Sequence, residues 1–167
     1  MEPRGEDTPG DSTDPFDPSY DFSDIDEAVL AAQENDLEVI LTISGTPRWA
    51  NGGKNPNVMP TRVADFGNFS RAIASRYSGR FDGISVRPIL VRSGTSRTFS
   101  SSSAPQFDAR GRSVAPANYA KLAAAAYTGL KAGNPSAQVG IGETSARGSG
   151  QGQWFAADAL PGSSPSS

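Results

Sequence analysis

The sequence predicts an α/β fold built on parallel strands, and three observations lead there. Helical and strand patterns alternate along the chain as helix, strand, helix, broken strand, helix, strand. The strand segments are short, β-branched and almost continuously apolar, as strands covered on both faces are. The helical segments repeat their apolar residues at helical spacing, as crossover helices on such a sheet do.

The elements follow in order. Residues 1–20 are rich in Pro, Asp and Gly and read as an extended or disordered arm. A first helix is expected from about Ser23 to Asn35, with Ser23 as N-cap and Asp24, Asp26 and Glu27 in its first turn. Its apolar face is Ile25, Ala28, Val29 and Ala32. The run Leu37 to Ser44 reads as a strand buried on both faces, followed by the loop Gly45 to Gly52. A second helix spans about Arg62 to Ser78, with Val63, Phe66, Phe69 (or Ser70), Ile73 and Tyr77 on one stripe. Arg71, Arg76 and Arg80 fall outside that stripe. Regularity then fails over 86–104. Val86 to Arg92 has strand composition, but Pro88 inside it demotes the strand, because proline cannot donate to a ladder. A third helix starts near Pro116, buries Tyr119, Leu122, Ala123, Ala126 and Leu130, and stops at Gly133-Asn134-Pro135. Ala137 to Gly142 is a further short strand, and 149–167 reads as a frayed tail. The ordered region is therefore expected at 21–148, interrupted at 86–104. A closed eight-fold barrel of βα units takes about 250 residues. The pattern here supplies three to four such units, a partial (β/α)8 barrel.

Composition removes several chemistries. There is no cysteine and no histidine among the 167 residues, which excludes disulfides, thiolate ligands and histidine-based triads. Any acid/base work would fall to carboxylates. The net charge is −3 with no basic run, so no nucleic-acid partner is expected. No apolar run approaches a membrane span and the first residues hold no signal-peptide core, so no membrane partner is expected. Nothing implies a cofactor, a metal or a specific protein partner.

In α/β folds chemistry gathers beyond the C-terminal ends of the strands. Three places qualify. In Gly45-Thr46-Pro47-Arg48-Trp49-Ala50-Asn51, an indole can stack on the C–H face of a pyranose while an arginine bonds hydroxyls or carboxylates. The plainer alternative makes Trp49 a plug and pairs Arg48 with an acidic neighbour. Glu143 follows the last strand as a candidate acid, ligand or anchor, against the commoner fate of a solvated loop glutamate. Gly140-x-Gly142 lacks the third glycine and the following helix of a dinucleotide fingerprint. The third place is 86–104, where Arg92, Ser93, Ser96 and Arg97 would suit an anion; a serine-rich loop without function is the stronger reading.

Taken together, Tyr20-Asp21-Phe22, Ile25 to Val29 and Val39 to Ala50, with Gly45-Thr46-Pro47-Arg48-Trp49-Ala50 the sharpest element, resemble clan A glycoside hydrolases. The similarity is greatest to the β-xylosidase and α-L-iduronidase group, family 39, and to family 5 cellulase-like proteins. Asp65 to Phe69, Ala72 to Tyr77, Asn118 to Leu122 and Val139 to Glu143 extend it over about 14–87 and 105–148. The resemblance implies a TIM barrel, a carbohydrate partner and retaining hydrolysis of β-linked saccharides, with Thr46, Arg48, Trp49, Asn51 and Glu143 as substrate-binding residues. Retaining chemistry needs a proton-donating glutamate on strand four and a nucleophilic glutamate on strand seven, about 5 Å apart. The first belongs within 86–104, which contains no Asp or Glu; the second would lie after Ser167. No catalytic residue is therefore assigned, and the chain as written is expected to be inactive. One codon choice for Ser93 to Phe99, read two bases on, encodes Trp-Asn-Glu-Pro-Asn-Leu, and Asn-Glu-Pro is the acid/base signature of these enzymes. A reading-frame slip would thus account for the missing acid. The alternative is a non-catalytic carbohydrate-binding protein derived from such an enzyme.

Overall fold

The structure is a computed structural model that describes residues 7–43, 45–56, 58–81, 84–85, 90–93, 108–112 and 114–140. Four helices and five strands occupy them: α1 (Ser23–Glu34), β1 (Ile40–Ile43), α2 (Arg48–Asn51), α3 (Val63–Arg76), β2 (Arg80–Phe81), β3 (Ile84–Ser85), β4 (Leu90–Ser93), α4 (Ala115–Gly133) and β5 (Gln138–Gly140). β1, β4 and β5 form a parallel sheet in chain order, with Ile40 beside Leu90 and Leu90 beside Gln138. β2 and β3 pair antiparallel as a separate hairpin, which the sequence reading did not anticipate.

The helices cover one face of this sheet. Leu41 and Ile43 of β1 are buried, Val139 of β5 packs beside them, and Val29, Phe66, Ile73, Tyr77, Leu122, Ala126 and Leu130 complete the core. The intervening residues behave differently: Ile40 is 48% exposed, Gln138 is exposed and Thr42 is half-buried. Alternation of this kind means that the described residues cover only one face. The expected burial of β1 on both faces is therefore corrected: one face packs on helices, while among the described residues nothing covers the other or pairs with the edge away from β4.

α3 and α4 lie against each other at backbone contact. A Cβ on Gly129 would fall on the Gly67 carbonyl oxygen, and one on Gly133 on the Arg71 carbonyl oxygen. Only glycine permits this approach, which is how two crossover helices fit side by side behind three short strands. The expected apolar face of α4 is buried throughout, from Tyr119 to Leu130. On α1, Val29 is buried but Ala28 is exposed. Ser23 is the first helical residue, with Phe22 in the N-cap position.

Arg76 does not stay outside. Its Nη2 and Nε donate to the Asp26 carboxylate at 2.6 and 2.9 Å, and Tyr77 Oη donates to the same carboxylate at 2.7 Å. The guanidinium also lies 4.9 Å from the Phe22 ring centroid and 5.2 Å from that of Phe16. This cluster ties α1 and α3 together. Burial, reinforced by the bond to Asp26, raises the Tyr77 phenol far above its ordinary value.

Residues 7–20, the described part of the arm expected to be extended or disordered, run with Asp21 and Phe22 as consecutive turns folded over α3. Asp17 is buried and accepts from the backbone N–H groups of Asp11 and Ser19, both at 2.9 Å. Asn68 Nδ2 donates to Ser12 Oγ, and Arg76 Nη1 donates to the Pro15 carbonyl, both at 2.9 Å. Tyr20 and Phe22 then pack with Phe69 at ring-centroid distances of 5.4 and 6.2 Å. Side-chain turns formed by Asp and Ser, rather than a regular element, order this segment.

The demoted strand also forms. β4 is the central strand of the sheet and begins at Leu90, two residues after Pro88, so the paired residues all have an N–H to donate. The remainder of 86–104, the 149–167 tail and Glu143 lie outside the described residues.

Candidate functional site

Because the three strands are parallel, the chain leaves Ile43, Ser93 and Gly140 at one edge of the sheet. The loop after β1 sits at that edge. Its shape is fixed from within. Thr46 N–H donates to the Pro56 carbonyl at 2.8 Å, Gly53 N–H to the Arg48 carbonyl at 2.7 Å, and Thr61 N–H to the Ala50 carbonyl at 2.8 Å. Between these bonds the single-turn helix α2 ends on two glycines with φ of 71° and 79°, Gly52 and Gly53, a left-handed pair that side chains disfavour.

Asn51 holds the loop rather than facing solvent. It is 2% exposed. Its Nδ2 donates to the Asn55 carbonyl at 2.9 Å, and its Oδ1 accepts from Lys54 N–H at 2.9 Å. The other expected binding residues diverge around the loop. Trp49 is half-buried and lines a small cavity of about 20 Å³ with Tyr20, Pro60, Phe66 and Phe69. That is room for roughly one water, so the cavity behind the indole cannot take a sugar ring, and only the exposed part of Trp49 is left to meet one. Asp65 borders the same cavity and pairs with Arg62 at 2.6 Å.

Arg48 is exposed and lines a different, larger cavity of about 240 Å³, together with Lys54, Gly53 and Asn55. Thr46 borders both cavities. It is 2% exposed, and its Oγ1 is the one buried side-chain polar atom without a hydrogen-bond partner among the described residues. Thr46, Arg48, Trp49 and Asn51 are thus brought together in one loop, while Glu143 lies outside the described residues. Lys54 escaped the sequence reading. Its signal was the Gly52-Gly53 pair just before it, which turns the chain back towards Arg48.

Among the described residues no group of three or more Asp, Glu, His or Cys is placed to hold a metal, and no helix is long and apolar enough to cross a membrane. No family model matches the chain, and neither a curated protein nor a solved structure matches it significantly.

Proposed function

We propose that the chain is part of a retaining glycoside hydrolase barrel acting on β-linked poly- or oligosaccharide, and that it is catalytically silent as written. One observation carries the reading. Three parallel strands lie in chain order, helices among the described residues cover one face only, and all three strands end at the edge where the Thr46–Asn51 loop sits. A barrel wall has this organisation, with its uncovered face turned to the barrel interior and its chemistry at the strand ends. β4 stands between the other two strands, so an acid following Ser93 would emerge at the middle of that edge. The stretch from Ser93 to Ala104 supplies none, and the alternative frame opens at the codon for Ser93.

The second reading, a non-catalytic carbohydrate-binding protein, is favoured by the same absence of Asp and Glu from 86–104 combined with the retained pair Arg48-Trp49. Calorimetric titration with xylo- and cello-oligosaccharides tests the shared claim. Heat of binding at millimolar ligand is expected, reduced in Trp49→Ala, with no hydrolysis of aryl β-glycosides. No heat at all would end both readings; hydrolysis would end the claim of silence. The nucleotide sequence of codons 85–105 separates the two, because an intact frame matched by transcripts removes the slip.

A further inference from the structure

The larger cavity of the β1 loop has a charge balance that a neutral sugar does not explain. Arg48 and Lys54 both line it, no carboxylate does, and neither side chain forms an ion pair among the described residues. Two cations held at one cavity without a counter-charge repel each other, and an anion between them removes that cost. A second observation points the same way. Thr46 borders the same cavity and its hydroxyl is buried and unpartnered, and such a group is unfavourable until something accepts its proton. The backbone around it is already fixed by the Thr46–Pro56, Gly53–Arg48 and Lys54–Asn51 hydrogen bonds. Little backbone ordering would therefore accompany binding.

We infer that Thr46, Arg48 and Lys54 form a binding site for a single small oxyanion, a carboxylate, sulfate or phosphate group. The two cationic side chains donate to it directly, and the hydroxyl, which has no exposed surface in the ligand-free chain, becomes a third donor when Thr46 turns towards the cavity. A metal cation is repelled by the same residues, and two cations in one pocket are too few for a nucleic-acid track. This site does not depend on the sugar reading. The group is either a free anion or one carried on a saccharide, and the two sources separate experimentally.

The test is titration of the full chain at low ionic strength with inorganic sulfate, inorganic phosphate, glucuronate and, as neutral control, glucose. The readout is the backbone amide resonances of Gly53 and Lys54. Saturable shifts are expected with oxyanions and none with glucose. Arg48→Gln and Lys54→Gln, both exposed and so harmless to folding, should each weaken binding about fivefold or more. Thr46→Val should also weaken it, while raising the melting temperature of the ligand-free chain by removing the unpaired hydroxyl. Equal binding of sulfate and glucuronate identifies a site for free oxyanions; glucuronate alone identifies one that reads a carboxylate on a sugar. Absence of a saturable shift with all three anions overturns the inference, and so does unchanged affinity in any of the three variants.

Discussion

Asp17 and Asp11 order the N-terminal segment through their carboxylates. The Asp17 carboxylate accepts from Asp11 N–H and Ser19 N–H, bonds that favour its charged form and hold its pKa below the free value of 3.8. Asp11 is lowered in the same way by Thr13. A carboxyl lowered in the folded state contributes stability above its unfolded value, and that contribution is lost as pH falls through the folded one. Residues 7–22 should therefore lose amide protection as pH drops from about 4 downward, ahead of α3 and α4, and Asp17→Asn should loosen them already at neutral pH. Hydrogen exchange across pH 6 to 3 reads this out; protection of 7–22 that persists unchanged at the acid end contradicts it. At this scale sequence reasoning was least reliable. Asn51 and Arg76 look like surface residues in a linear pattern, yet one pins a loop and the other pairs with Asp26, fifty positions away. A partner so distant in sequence leaves no trace in local spacing.

Between elements, the α3–α4 contact sets the shape of the helical layer. Gly129→Ala gives a clear competition of magnitudes. Alanine is favoured over glycine inside a helix by about 1 kcal/mol. Against this, the new methyl has no room beside the Gly67 backbone, and overpacking typically costs about 1–3 kcal/mol. Since a carbonyl oxygen cannot rotate away as a side chain can, the steric cost should fall at the upper end and win, for a net loss of up to about 2 kcal/mol in urea unfolding. A stabilised Gly129→Ala would mean that the helices are further apart than described. The helices themselves were legible because a 3.6-residue stripe needs no tertiary information: α3 and α4 begin and end within about two residues of expectation. The short strands were harder. β4 was discounted for Pro88, although a proline ahead of the first paired residue breaks no ladder bond. The β2–β3 hairpin flanks the sequence pair Asp82-Gly83, a strong turn signal that a search for long parallel elements passes over.

For the molecule as a whole, the decisive property is how the sheet meets its surroundings. Parallel sheets are normally covered on both faces; here the described residues cover one. β1 pairs only with β4 among them, contains no charge or proline, begins with Ile40, 48% exposed, and follows Leu37, 59% exposed. Edge strands escape unwanted pairing through lysines, prolines, bulges or cover, and Ile40–Ile43 has none of the first two. The same feature supports the barrel proposal and sets its hazard, because a wall strand is built to be paired on both sides. The chain should therefore associate with rising concentration. In analytical ultracentrifugation its weight-average mass should climb above the monomer value in the micromolar range, and a charged substitution at the edge, Ile40→Lys, should lower it again while leaving the oxyanion titration of the β1 loop unchanged. A sharp, concentration-independent monomer boundary, combined with full thermal reversibility, would mean that the open face is closed in solution by this chain's own residues, and the sheet would then have to be read as a self-contained α/β domain instead of a barrel wall.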